Sequence, residues 1–332
     1  MVRACRVSVI LTRAPLRIAF GGGGTDLPSW YRRNGGFVVS AAIDRYVHVL
    51  LGPSFHGHYV LKHLEVEEVD TAAEVRHPIL QAALARHWDG RPLELTSVSD
   101  VPPGTGLGSS GTYTVCVLKA LRLAAGGDME PTALAEAACE IELDVLGRTV
   151  GKQDQYAAAY GGVRTYTFRP DDRVEVRELR LPERSRRALN EELLLFFTGG
   201  KRSAADVLAH QVNRTLAGDE ETARDLARSE ELARESAAAL EHGELERLAG
   251  SLEEQWEVKR RRAPGAITPR LEELRQRAKG AGAIAVALLG AGGGGFLLVQ
   301  TRRPEETRRA MADAGAPELR FGLDPGGCVG LL

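Results

Sequence analysis

Disulfide chemistry has little to work with in this chain. Its four cysteines, Cys5, Cys116, Cys139 and Cys328, are scattered over 332 residues, with no C-x-x-C pair and no zinc-ligand spacing. That pattern fits free thiols in a reducing compartment and argues against a disulfide framework. The histidines do not cluster with the cysteines, and His56 with His58 reads as a solvated strand edge rather than a metal pair. Charge of one sign is lacking too: 43 Lys and Arg face 45 Asp and Glu, a formal net charge of −2. No global field points to nucleic acid or an anionic membrane, so any phosphate-binding charge has to be local. No stretch nears the ~20 apolar residues of a membrane span. The run Val7 to Leu11 is too short for a signal-peptide core. The expectation is a soluble cytoplasmic protein without an internal repeat or a low-complexity linker.

What is present is a chain long enough for two domains, 43% hydrophobic and 27% charged. Strand signals fall at 16–20, 36–43 and 46–51, with weaker ones near 58–62 and 64–69. A helix is predicted over 79–88, a half-buried strand over 93–99, and helices over 110–125 and 131–146. Pro131 sits at the first-turn position that proline tolerates. Strands at 163–168 and 193–198 flank a charged segment, and 204–262 is mostly charged helix. A helix over 269–279, strands over 283–289 and 296–300, a further helix and a last strand near Leu319 complete the reading. Mixed order with an antiparallel flavour predicts an α+β fold, with domains at 1–162 and 163–332.

Three glycine-rich segments stand out. PPGTGLGSSG, Pro102 to Gly111, follows a strand and opens an apolar helix. Residues without Cβ let successive N–H groups turn towards an anion, and the helix N-terminus adds donors and partial positive charge. Gly106, Gly108 and Gly111 formally satisfy GxGxxG, but the next element is a helix, which excludes a dinucleotide unit. No GK[ST] follows, so it is not a Walker loop. RAPLRIAFGGGGTDLP, Arg13 to Pro28, ends a strand in four glycines beside Asp26; read alone, that is a hairpin loop with Asp26 capping the next helix. LLGAGGGGFLLV, Leu288 to Val299, joins two apolar strands, as a turn or as backbone that a ligand approaches closely. Between these lies IELDVLGRTVGKQDQYAAAYGG, Ile141 to Gly162, with Glu142 and Asp154 twelve residues apart and Lys152 and Gln153 alongside. Phosphoryl transfer needs cations on the phosphates, metal ligands and a carboxylate on the attacking hydroxyl. A surface salt-bridge group is the plain alternative.

Taken in order, APLRI with GGGGTD, PPGTGLGSS and GAGGGGF resemble the GHMP kinase superfamily across nearly the whole chain. ELDVLG, GKQDQYAAAYGG and the W-x-x-K-R from Trp256 resemble its D-glycero-D-manno-heptose 7-phosphate kinases in particular. The resemblance implies a ribosomal protein S5 domain 2-like first half and a ferredoxin-like second half, with ATP and Mg²⁺ as cofactors. The implied partners are a sugar phosphate and ATP, with no nucleic acid and no membrane, in a monomer or homodimer. By the same resemblance, Asp154 is catalytic, Arg17 is its cationic neighbour, and Ser110 and Glu142 bind Mg²⁺. Pro103, Gly104, Thr105, Gly106, Leu107, Gly108, Ser109 and Ser110 line the ATP phosphates, and Gly292, Gly293 and Gly294 close the site. Gly24, Thr25, Asp26, Lys152 and Gln153 face the sugar. For a distal phosphate the chain offers Arg202 after the Thr198-Gly199-Gly200 turn, assisted by Lys259 or Arg260. The chain departs from the family pattern in two segments: Ala287 stands where many relatives carry lysine, and Gly111, Thr112 and Tyr113 replace the small residues often found after the serines.

Overall fold

The computed structural model describes residues 9–199 and 204–331. The chain enters as β1 (Ile10–Gly21), buried along most of its length. Beyond the first glycine run, Pro28 at the first helical position opens the short α1 (Pro28–Asn34). β2 (Gly36–Pro53) returns antiparallel to β1. The strands expected at 36–43 and 46–51 are one: Asp44 and Arg45 bulge out between the Leu16–Ile43 and Pro15–Tyr46 pairs, and the ladder resumes. Next come β3 (Tyr59–Lys62), β4 (Val66–Val69), α2 (Pro78–His87), β5 (Leu93–Ser99) and α3 (Ser109–Ala124). α4 (Pro131–Cys139) runs straight into a wider π turn over Glu140–Val145.

The remaining elements are α5 (Gln153–Tyr160), β6 (Val163–Phe168), β7 (Val174–Glu178), α6 (Glu183–Glu191) and β8 (Leu193–Phe197). After them come α7 (Ala204–Leu216), α8 (Glu220–His242), α9 (Leu245–Arg262), α10 (Pro269–Gly280), β9 (Ala283–Leu288), β10 (Phe296–Thr301), α11 (Pro304–Asp313) and β11 (Val329–Gly330). Among the described residues, eight strands make one sheet in the order β11-β1-β2-β5-β3-β4, with β6 and β7 attached beside β2. The other sheet is β8-β10-β9, antiparallel throughout. The fold is α+β. Among the described residues no helix is long and apolar enough to cross a membrane, and Cys116, Cys139 and Cys328 are free, buried thiols.

The boundary expected at Gly162 cuts through the first sheet. Gly161 and Gly162, both at positive φ, reverse the chain so that β6 pairs back onto β2. The turn joins α5 directly to β6 and is not a linker, and β7 extends the same sheet. The chain comes back to it once more at β11, which pairs with β1. The last strand expected near Leu319 is only a single bridge between Phe196 and Glu318.

α8 packs on β1 and β2 through Ala233, Ala237 and Leu240, while Trp256 on α9 enters the core of the second sheet with Leu274 and Leu297. The helical pair therefore bridges both layers. Two glycine loops complete the join by direct backbone contact. A Cβ on Gly106 would sit 2.8 Å from the Leu289 carbonyl oxygen, and one on Gly290 would sit 2.5 Å from the Gly106 Cα. Gly295 meets the Thr105 carbonyl in the same way. Gly104 also has positive φ, but a Cβ there would meet open space. Gly104→Ala should therefore cost only the left-handed strain of about 1–2 kcal/mol. Gly106→Ala adds a backbone clash and should lower Tm by clearly more; equal shifts in thermal melts would refute the interlock as a stabilising contact.

Candidate active site

Arg17 sits in the middle of β1 and is 3% exposed. A guanidinium that deeply buried needs acceptors on every side. Its Nε and one terminal nitrogen donate to Asp154 Oδ1 at 2.8 and 2.5 Å, and the other terminal nitrogen donates to the Gly106 carbonyl at 2.6 Å. Its backbone N–H donates to the Leu107 carbonyl at 3.1 Å. The first-turn residue Asp154 of α5 thus faces the glycine loop. Its Oδ2 is left without a hydrogen bond among the described residues. Gly108 and Gly111 allow this approach: a Cβ on either would press on the Asp154 side chain at 3.1 and 2.8 Å.

Ser110 lies in the first turn of α3, and its hydroxyl donates to Glu142 Oε2 at 2.7 Å. The π turn carries Glu142 to a position with no exposed surface, where it also accepts from Thr114 at 3.2 Å and Gln155 at 2.9 Å. Arg148 bridges the pair, 3.0 Å from Ser110 Oγ and 3.3 Å from Glu142 Oε2. Two hard oxygens on one edge form a donor set that a small divalent cation accepts.

Asp26 is 2% exposed and accepts from the backbone N–H groups of Gly24 at 3.0 Å and Gln153 at 3.2 Å. Burial and the neighbouring Asp154 charge push its carboxyl above the ordinary range, against the pull of those donors. Arg17, Asp26, Gln153, Asp154, Gly106 and Ser110 share a cavity of about 210 Å³. Its far wall is α9. There Lys259 donates to the Leu288 and Gly290 carbonyls at 2.5 and 2.7 Å, and Arg262 donates to Ser229 Oγ at 2.9 Å. Burial first, then the charges of Arg262 and Arg17, bring the Lys259 amine down to about 7.

Residues 74–162 match the model of the GHMP kinases N terminal domain, and residues 233–316 that of the GHMP kinases C terminal domain. The D-glycero-alpha-D-manno-heptose 7-phosphate kinase of Campylobacter jejuni is 30% identical over 304 residues, 88% of this chain and 89% of that protein. The chain belongs to the GHMP kinase family. The crystal structure of a D-glycero-D-manno-heptose 1-phosphate kinase from Bacteroides thetaiotaomicron superposes with a TM-score of 0.80 at 24% identity, covering 97% and 99% of the two chains. The bifunctional fucokinase/GDP-fucose pyrophosphorylase of Arabidopsis thaliana is 26% identical over 317 residues, 89% of this chain but only 30% of that protein. As a GHMP kinase the protein is a phosphotransferase with an alcohol group as acceptor, and its family implies ATP as donor.

Several expected site residues of this GHMP kinase point elsewhere. Lys152 turns away from the cavity, donating to the Asp172 carbonyl at 2.9 Å with its amine over the Tyr31 ring. Thr25 spends its hydroxyl on the Gly22 and Phe37 backbone. Thr105 caps the Pro102 carbonyl and Leu107 is fully buried, so their side chains shape the loop from behind, while Pro103 and Gly104 stand exposed. The cavity touches Gly290 and Ala291 rather than Gly292, Gly293 and Gly294; Gly293 instead donates to the Ala266 carbonyl at 2.7 Å. Arg260 lies on the outer face of α9, paired with Glu257 at 2.7 Å. Arg202 lies outside the described residues. Asp26 does not cap α1, whose N-cap is Leu27.

Two functional candidates are absent from the sequence reading, Arg148 and Arg262. Arg262 had a signal: Trp256, Lys259 and Arg262 recur every three residues and so share one helix face. Lys259 carries a measurable signature of that wall. The unfolded chain keeps this proton up to about the ordinary 10.5, whereas the folded chain releases it near 7. Between those values the unfolded state binds more protons, so this group makes stability rise with pH. In ligand-free protein, the stability advantage of Lys259→Met should be largest at pH 7 and shrink towards pH 10, as read from urea midpoints; a pH-independent difference would show that the amine is not buried charged.

Proposed function

We propose that the protein transfers the γ-phosphoryl group of ATP to the anomeric hydroxyl of D-glycero-D-manno-heptose 7-phosphate, giving the 1,7-bisphosphate. The observation that carries the kinase chemistry is the Asp154 carboxylate, pinned by Arg17 beside the second glycine loop with one oxygen free. The similarity to the heptose 7-phosphate kinase over most of both chains supports the choice of sugar.

Asp154 Oδ2 accepts the proton of the anomeric hydroxyl as that oxygen bonds to phosphorus. The bond to ADP breaks, and its electron pair stays on the departing β-phosphate oxygen. Arg17 holds the carboxylate in line, and its guanidinium faces the transferring group. Asp26 orients the sugar by accepting from its hydroxyls, its own position fixed by the Gly24 and Gln153 amides. The N–H groups at the start of α3 receive the phosphates. Ser110 and Glu142 would hold Mg²⁺, which neutralises phosphate charge when bound.

Asp154→Asn keeps the shape but removes the base, so turnover should fall by ~10²-fold or more. Binding of ATP, followed by calorimetry, should survive; near-normal turnover would falsify the assignment. Arg148 presents a guanidinium to both proposed metal ligands. Glu142→Gln should therefore raise the Mg²⁺ concentration for half-maximal rate, and Arg148→Ala should lower it by removing the competing cation. An unchanged Mg²⁺ dependence in both variants would make the cluster structural. A coupled ADP-release screen over free and phosphorylated hexoses and heptoses tests the sugar itself, and preference for an unphosphorylated sugar would overturn the heptose phosphate.

A further inference from the structure

The cavity wall formed by α9 carries two cations that the described residues of the protein do not pair. Arg262 is buried and Lys259 half-buried there, and among the described residues neither makes an ion pair. The two carboxylates whose charge favours Arg262 make no ion pair with it: Asp225 Oδ1 accepts from Arg261 at 2.9 and 3.1 Å while its Oδ2 has no partner among the described residues, and Asp26 accepts two backbone amides. Arg262 donates once, to Ser229, and its Nε–H is buried without a partner among the described residues. Lys259 has used two of its three N–H donors on carbonyls. A buried cation without a counter-charge is costly, and an unsatisfied guanidinium N–H beside an open cavity adds to that cost. Such a wall is completed by an anion.

We infer that Arg262, with Lys259 one helical turn before it, is the subsite for the phosphate ester already carried by the sugar substrate. This deepens the sugar-phosphate reading above and rests on it. Three features select that ligand. A phosphate monoester carries close to two negative charges near neutral pH, matching two cations spaced three residues apart on one helix face. The Nε–H of an arginine plus a terminal N–H forms the fork that phosphate oxygens accept in parallel. The third feature is position. The Arg262 guanidinium carbon lies 3.3 Å from where a Gly24 Cβ would be, so this cation closes over the first glycine loop, next to Asp26. The nucleotide phosphates have their own cradle at Gly106 to Ser110, with Lys259 between the two ends. The lowered proton affinity of both cations, to about 7 and about 10, follows mainly from burial and is consistent with a wall awaiting a dianion. Arg262 is thus the specificity residue that separates a phosphorylated sugar from its free counterpart.

The test compares wild type with Arg262→Met, which keeps an unbranched chain of similar length but removes the charge. Steady-state kinetics are run on D-glycero-D-manno-heptose 7-phosphate and on the unphosphorylated heptose. KM for the phosphorylated sugar should rise about tenfold or more, with a far smaller change in kcat/KM for the free sugar. In thermal melts the ligand-free variant should be at least as stable as wild type, because an unpaired buried charge is gone. The stabilisation that the 7-phosphate gives the wild type should be lost. Equal losses on both sugars, or a ligand-free variant that melts well below wild type, would overturn the assignment and leave the heptose reading standing. If the wild type accepts a different sugar phosphate instead, the heptose reading fails, and the same comparison on that sugar and its free form judges Arg262. A wild type that prefers free sugars overturns both.

Discussion

One guanidinium ties the catalytic end of the molecule together. Arg17 is buried in a strand, so it must be met by acceptors, and the acceptors come from far along the chain. Asp154 is 137 residues away and Gly106 is 89. A strand, a loop and a helix are therefore fixed relative to one another by a single side chain. Buried pairs of this kind add little net stability compared with apolar packing, but they discriminate strongly against misplaced partners. Here the discrimination falls on the position of the Asp154 carboxylate, the proposed base, whose placement decides how well it meets an attacking hydroxyl.

The glycines surrounding this pair divide into two physical roles that look identical as letters. Gly106, Gly290 and Gly295 are small because two backbones touch there. Gly108 and Gly111 are small because Asp154 leans on α3. The loop proposed to receive phosphate is thus also the surface against which the β9–β10 connection packs, so the proposed cradle and that contact share residues. Ala287 belongs to the same region: it is 7% exposed and lines the cavity at the end of β9 without a charge of its own. An amine reaches the end of that strand from α9, through the bonds of Lys259 to the Leu288 and Gly290 carbonyls.

Much of this is legible in the sequence, for reasons that can be named. β5 and β6 carry alternation or β-branched residues with turn residues on both sides, and their predicted and observed limits coincide. The three glycine motifs are recognisable because anion binding and close backbone approach both demand them. Side-chain direction is less legible. Lys152 stands next to two residues that line the cavity, yet Asp172 draws it the other way, and a single sequence does not show that carbonyl. Arg260 and Arg262 are two letters apart, but about 100° per residue puts one in solvent and the other in the cavity. The π turn at Glu140–Val145 breaks the helical count between α4 and Glu142, so apolar spacing alone misjudges what faces inward. The charged segment after Phe168 conceals β7 because an edge strand tolerates the glutamates and arginine that alternate there.

The return of the chain to its first sheet bears on how the protein is made. β1, which carries Arg17, pairs on one side with β2 and on the other with β11. The tail before β11 is laced to the bulge in β2, with Asp44 and Gly322 exchanging hydrogen bonds and Asp324 accepting from Tyr46. A ribosome delivering this chain therefore exposes an open edge on the strand that carries Arg17 until the residues beyond 320 have emerged. Open edges invite pairing with neighbours. Translation order and fold order run against each other here, and the strand that matters most for chemistry is covered last.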